Sequence, residues 1–356
     1  MHRQSVCVKV SGKCAEQTII LVNKLKLVNK DLEIQKDEGF VCIPLLRHPS
    51  KNELETFKQQ GISFKISARD FPEKAKRIAS FIDLLDDKLP PNLLSSLPPA
   101  FDIVGDIAVM EIPPELIAYE SAIGEAVLKA NKNLRTVLSK SGAISGTYRL
   151  REYSVLAGEP KTHTLHKEYG CQYYVDLAKA YFSPRLSNEH HRVASFVREG
   201  ETVVDLFAGV GPFAVQIAKT HQNVRVYAVD VNPWAVEFLE RNIRLNRVDG
   251  KVFPVLGDAR QVVKERFSGV ADRLVMNLPE KAAEFVDVAC DAVKPMGGVV
   301  HFYCFINASE PLEGVNVRFA ESVGKCGRRV EKTLFSRLVR TTAPYEWQAV
   351  LDVKIH

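Results

Sequence analysis

Chemistry in this chain gathers around one turn. The stretch Val203-Val204-Asp205-Leu206-Phe207-Ala208-Gly209-Val210-Gly211-Pro212-Phe213 runs from β-branched residues into a carboxylate, then a paired-glycine turn, then a helix start. Gly209 and Gly211 remove the Cβ atoms that would block a ligand or forbid positive φ, and Pro212 suits the first helical position. A second apolar run ends in Asp230, whose carboxylate could accept hydrogen bonds from ribose hydroxyls. Asn232-Pro233 follows as a helix entry, so Asn232 reads first as a cap and only then as a ligand contact. Asp258 closes a third run, where its carboxylate could take a hydrogen bond from an adenine amino group; Asn277-Leu278-Pro279 closes a fourth. The turn lacks the third glycine of G-x-G-x-x-G, which counts against a nicotinamide dinucleotide.

Positioning four polar strand ends in one crevice takes a particular architecture. From about residue 185 the pattern alternates strand and helix, the sign of a mostly parallel sheet covered on both faces. Strands are predicted near 202–206, 224–229, 252–256, 272–276, 298–304 and 347–354. Residues 1–83 read as a small α/β unit. The proline pairs at Pro90-Pro91 and Pro98-Pro99 mark 84–99 as a linker. Residues 100–184 then form a second domain and 185–356 a third.

The composition, 46% hydrophobic and 26% charged over 356 residues, is that of a globular protein with more than one core. No apolar run approaches the ~20 residues of a membrane span, and the N-terminus lacks a signal peptide's apolar core, so a cytoplasmic protein is expected. Seven scattered cysteines without a C-x-x-C pair suit neither a disulfide framework nor a metal site. The +5 net charge is uneven. Lys129, Lys132, Arg135, Lys140, Arg149 and Arg151 fall in a stretch with no acid, and Lys325, Arg328, Arg329, Lys332, Arg337 and Arg340 form a second cluster. Such clusters are either solvated faces or a surface for an anionic partner, of which nucleic acid is the commonest.

The order of acids closing these strands resembles the class I S-adenosylmethionine-dependent methyltransferases, whose catalytic domain is a Rossmann-like, doubly wound, seven-strand sheet. Further motifs narrow the resemblance: Asn277-Leu278-Pro279, Tyr181-Phe182-Ser183-Pro184-Arg185, Tyr148-Arg149-Leu150-Arg151-Glu152 and Leu165-His166-Lys167-Glu168. Together they look like the archaeal and eukaryotic tRNA (guanine-37-N1)-methyltransferases over nearly the whole chain. That family's fold implies an α/β catalytic domain preceded by two smaller α/β or α+β domains, the first for tRNA recognition and the second, basic one for RNA contact. The implied cofactor is S-adenosylmethionine, held by Tyr181, Arg185, Asp205, Phe207, Gly209, Gly211, Asp230, Asn232, Asp258 and Asn277. The implied partner is a tRNA with guanosine at position 37, bound by a monomer without a metal.

The same resemblance implies the chemistry. Guanine N1 carries a proton and attacks poorly until it is lost, so a base, a cation at O6 and an in-line methyl are needed. Glu189 matches the family's base, with His190 and His191 as rivals, and its other reading is an acid at a helix N-terminus. Arg149 matches the arginine at O6, with Arg151 two residues on as the alternative. Asn277 and Pro279 shape the target-base pocket. Two other functions fit the residues: a sibling enzyme of the wyosine pathway, transferring a methyl or aminocarboxypropyl group, and a non-catalytic RNA-binding protein on a methyltransferase scaffold.

Overall fold

The computed structural model describes residues 2–37, 39–73 and 80–356. The chain divides into two compact units, 1–79 and 80–356. The first holds β1 (His2–Ser11), α1 (Ala15–Lys24), β2 (Gln35–Asp37), β3 (Phe40–Pro44), α2 (Lys51–Gln59) and β4 (Phe64–Pro72). All its strand pairs are antiparallel, in the order β2-β3-β1-β4. Alternating residues of β1 and β3 (Val8, Val10, Val41, Ile43) meet Leu21, Val22 and Phe57 of the helices in one core. Ser50 and Glu53 form a reciprocal capping box that starts α2.

The stretch expected as a linker, 84–99, lies inside the second unit. There α3 (Pro91–Leu94) is a single turn, and Leu85, Leu89 and Leu97 are buried in the core of a four-stranded sheet. That sheet comprises β5 (Asp102–Val104), β6 (Ile107–Met110), β7 (Thr136–Ser145) and β8 (Leu150–Gly158), with α4 (Glu120–Ala130) as the crossover between parallel β6 and β7. The antiparallel hairpin β9 (His163–Glu168) and β10 (Cys171–Asp176) follows. The expected second and third domains thus lie within one compact unit.

The remaining elements are α5 (Ser187–Phe196), β11 (Thr202–Asp205), α6 (Pro212–Thr220), β12 (Arg225–Asp230), α7 (Pro233–Asn246), β13 (Val252–Leu256), α8 (Ala259–Val262), β14 (Arg273–Met276), α9 (Val286–Ala292), β15 (Gly298–Asn307), α10 (Leu312–Lys325), β16 (Val330–Ala343) and β17 (Glu346–Ile355). They build a seven-stranded sheet, ordered β13-β12-β11-β14-β15-β17-β16. Its first five strands run parallel, and β17 is antiparallel to both β15 and β16. This is the α/β class I methyltransferase fold that the resemblance implies. Six of its strands match the expected positions; β16 was read only as a basic cluster, because its cations break the apolar alternation.

Strand order reverses between β11 and β14, and in such sheets ligands bind beyond the strand ends at that reversal. Two asparagines of α7 tie the β9–β10 hairpin to this sheet. Asn242 and Asn246 each accept a backbone N–H of β10 and donate to a carbonyl of the same strand, at Tyr174 and Gln172. An edge strand's free backbone groups are thereby satisfied by side chains.

Candidate active site

A cavity of about 310 Å³ opens at the reversal point, within the range of small-molecule sites. Among the expected residues, Arg149, Tyr181, Phe207, Gly209, Asp230, Asn232, Asp258, Asn277 and Pro279 line it. Three of the four polar strand ends, Asp230, Asp258 and Asn277, thus converge although tens of residues separate them. Asp205, Gly211, Arg185 and Glu189 do not line this cavity.

The glycine turn is braced from two sides. Asp230 accepts the Gly209 N–H at 2.7 Å and the Asn232 N–H at 2.8 Å. Burial raises its pKa, against the pull of those N–H groups. Gly211, at φ +87°, caps α6, and a Cβ there would lie 2.2 Å from Leu239 Cδ1, so its glycine serves packing behind the loop. Asn232 is the α7 cap: its Oδ1 accepts from Trp234 N at 3.1 Å while Nδ2 donates to the Lys179 carbonyl at 2.7 Å. Asp258 caps α8 through Arg260 N and Gln261 N. Phe207 packs edge-on to Phe285, which also lines the cavity.

Asp205 is fully buried at the end of β11. Its Oδ1 accepts from Phe207 N at 3.3 Å, and its Oδ2 has no partner among the described residues. Burial, helped by the charge of Asp230, pushes its pKa up to about 7. An orphaned buried acceptor at this point fits a ligand that brings a cation or donors, as the amino-acid end of S-adenosylmethionine does. The small open turn and the acids at β12 and β13 fit its nucleoside end.

Arg149 lines the cavity. It closes the β7–β8 turn at φ +56°, one residue before β8, whereas Arg151 lies within that strand. Its Nη2 donates to Glu280 Oε1 at 3.0 Å, its guanidinium lies 5.1 Å from the Tyr181 ring centroid, and its buried Nε is unpaired among the described residues. A second cavity of about 280 Å³ adjoins the first, sharing Arg149, Tyr181, Glu280, Phe305 and Arg340. Lys140, Arg151 and Arg185 face only this second space, with Arg185 paired to Asp102 at 2.6 Å. The pair of cavities places a small-molecule pocket beside a cationic, aromatic-edged one.

Glu189 sits in the first turn of α5 and is only 1% exposed. Its Oε2 accepts from Arg192 (2.8 and 3.0 Å) and from the Tyr303 hydroxyl (2.8 Å), and its Oε1 takes Arg337. Burial alone would raise its pKa; Arg192, then Tyr303 and Arg337, outweigh that and hold it below the usual range. Arg192 continues the chain of charges to Asp352, which accepts from His301 Nδ1 at 2.6 Å. Arg273 donates to His301 Nε2 at 2.9 Å, so this imidazole is neutral, in keeping with a pKa lowered by burial. His190 and His191 part company. His190 is buried with Nδ1 2.7 Å from Glu168, and His191 stacks on Tyr169 at 4.2 Å. Glu168 would be raised by burial, but His166 and His190 bring it down to about 2.

Sequence reasoning missed Gln348, Phe285 and the Arg192–Asp352–His301 chain, and saw Arg340 and Arg337 only as part of a basic cluster, either a solvated face or a surface for an anionic partner. Gln348, Phe285, His301 and Asp352 carry no motif, because strand pairing and packing bring them from far along the chain; Arg192 lies three residues from Glu189 on the same helix.

Comparison with known proteins points to enzymes that modify position 37 of tRNA. Three family models match: "TRM5/TYW2 methyltransferase domain" over residues 164–331, "TYW2 N-terminal domain" over 81–162 and "tRNA methyltransferase 5 N-terminal domain" over 7–53. The chain is 36% identical over 351 residues, 99% of each chain, to the tRNA (guanine(37)-N(1))-methyltransferase Trm5b of Pyrococcus abyssi. It is 33% identical to the tRNA 4-demethylwyosine(37)-methyltransferase Taw21 of Saccharolobus solfataricus, over 71% of this chain and 92% of that one. A solved complex of aTrm5 and tRNALeu superposes with a TM-score of 0.71 at 32% identity, covering 99% of this chain and 100% of the other.

Proposed function

Because this chain belongs to the TRM5-type tRNA (guanine-37-N1)-methyltransferase family, we infer that it transfers a methyl group from S-adenosylmethionine to N1 of guanosine 37 in tRNA. The observation that carries this reading is similarity along the whole chain, together with a small-molecule cavity that shares Arg149 and Tyr181 with a cationic neighbour.

S-adenosylmethionine, when bound, supplies an electrophilic methyl on a sulfonium. Asp230 would take its ribose and Asp258 its adenine edge, with Phe207, Gly209 and Asn232 forming the wall; Asp205, buried at the end of β11, would face its ammonium only if the turn opened. Gly211 supports that wall from behind. A guanine leaving its stack would enter beside Tyr181, between Arg149, Asn277 and Pro279. Arg149, steered by Glu280, brings a permanent charge and an unpaired Nε to O6, where negative charge grows as N1 loses its proton. Arg185 and Arg151 serve the RNA backbone. Glu189 is the proposed base; because it is buried and lines neither cavity, taking the N1 proton requires both that the half-exposed Arg337 give up its carboxylate and that bound tRNA bring the guanine to it.

Residues 1–83 are assigned to recognition of tRNA away from the anticodon, and the basic stretch within 100–184 to contact near it. The enzyme acts as a monomer in the cytoplasm. Among the described residues no helix is long and apolar enough to cross a membrane.

Labelled S-adenosylmethionine with tRNA transcripts tests the reading. Methylation of a transcript with guanosine at position 37, and none with adenosine there, is expected; equal transfer to both would overturn it. Methylation of a wyosine precursor is the second reading, supported by the likeness to Taw21. The match of residues 7–53 and the greater coverage by Trm5b favour guanosine. The mass of the product nucleoside separates the two.

A further inference from the structure

The last hairpin of the sheet reaches the site through a directed chain of hydrogen bonds. Arg340 on β16 faces Gln348 on β17 in register. Its Nε donates to Gln348 Oε1 at 2.9 Å, its Nη1 to Ser183 Oγ at 3.1 Å and its Nη2 to the Tyr181 hydroxyl at 3.2 Å. Gln348 is buried, and its Nε2 donates to Asn277 Oδ1 at 3.2 Å. Arg340, Gln348, Tyr181 and Asn277 all line the cofactor-sized cavity.

The order of donors in this chain is forced. A guanidinium has no acceptor and stays charged. Gln348 must therefore turn Oε1 toward Arg340, which leaves only its N–H groups for Asn277. Asn277 must answer with Oδ1. Reversing either amide would set donor against donor or acceptor against acceptor in a buried place. Asn277 Nδ2 is then left without a partner among the described residues, on a residue that borders the cavity.

We propose that Arg340 and Gln348 are positioning residues that fix the polarity of the target-base pocket, making Asn277 an N–H donor to the O6 of the incoming guanine. The proposal rests on the methyl-transfer reading above and deepens it. As N1 loses its proton, charge moves onto O6, and a donor there stabilises what an acceptor would repel. An adenine in the same pose would present an amino donor to Asn277, so the same polarity excludes it.

The test is a double-mutant cycle on the full-length enzyme with guanosine-37 transcript. Gln348→Glu keeps an acceptor for Arg340 but offers Asn277 only a second acceptor, so the Asn277 amide must turn round. We expect kcat to fall by about 100-fold, the loss seen when one oxyanion donor is removed, a larger factor than any change in the dissociation constant of S-adenosylmethionine. In an Asn277→Ala background the same change should cost less than about threefold, because its effect passes through Asn277. Gln348→Met, which imposes neither polarity, should lose less than Gln348→Glu and covers the case in which the buried carboxylate prevents folding. A wild-type kcat for Gln348→Glu overturns the proposal. So does an equal loss with and without Asn277, or a greater loss for Gln348→Met than for Gln348→Glu. If the wild-type enzyme instead modifies another nucleotide, the functional reading fails, and the cycle is scored on that product.

Discussion

Asp205 allows burial to be read directly as a pH dependence. Its pKa stands near 7 in the folded protein against an ordinary 3.8. Between those values the folded state binds a proton that the unfolded state has lost. Stability contributed at this position therefore falls as pH rises through that window, and the full penalty is present above it. Between pH 5 and pH 8 the shift is worth about 2 to 3 kcal/mol, since each pKa unit corresponds to ~1.4 kcal/mol. Asp205→Asn keeps an acceptor for Phe207 N but cannot ionise. Its own cost, an amide in place of the unpaired Oδ2, does not vary with pH. The difference in unfolding free energy between variant and wild type should thus move by about 2 to 3 kcal/mol in favour of the variant from pH 5 to pH 8. Both tryptophans, Trp234 and Trp347, lie in the second unit, so their fluorescence in a denaturant titration follows that unit alone. Asp230 is present in both proteins and cancels to first order. Parallel pH profiles for the two proteins would refute the assignment of a buried, unpaired carboxylate.

Arg149→Lys keeps the charge but loses the planar fork, and kcat should fall by about 10- to 100-fold while S-adenosylmethionine affinity holds, as read by single-turnover kinetics and calorimetry. Glu189→Ala should reduce turnover sharply and leave tRNA affinity nearly unchanged in filter binding; survival of wild-type activity would remove Glu189 as the base. Gly211→Ala places a Cβ 2.2 Å from Leu239 Cδ1 at φ +87°, and should cost about 1–3 kcal/mol in the tryptophan-detected transition. Binding of tRNA should weaken steeply as salt rises, in proportion to the phosphates contacted; a flat salt profile would set aside the basic stretch as an RNA surface.

The catalytic sheet was legible because its parallel strands are continuous apolar runs that end in polar residues. Val203-Val204-Asp205 and Val229-Asp230 announce both strand and crevice, and Asn232-Pro233 announces the helix after it. Strand β16 was not legible, since its alternation is broken by Lys332, Arg337 and Arg340 and by register shifts along its pairing with β17. The sequence left Arg149 and Arg151 as alternatives; the left-handed turn at Arg149 separates its setting from that of Arg151, which reaches only the second cavity. Local spacing does not reveal a positive φ on a residue other than glycine.

By itself the chain order determined which residue types close each strand, and hence that a nucleoside-bearing cofactor and an anionic partner were in question. Only the tertiary structure decided the state in which those residues stand. Asp205 and Glu189 are both buried acids, but one has an unpaired oxygen and the other has Arg192, Arg337 and Tyr303 around it, so their pKa values move in opposite directions. Asn277 takes its donor sense from Gln348, 71 residues away, and from Arg340 beyond it. Desolvation and hydrogen-bond direction depend on what packs alongside in space, and strand pairing brings those partners from parts of the chain that no local pattern connects.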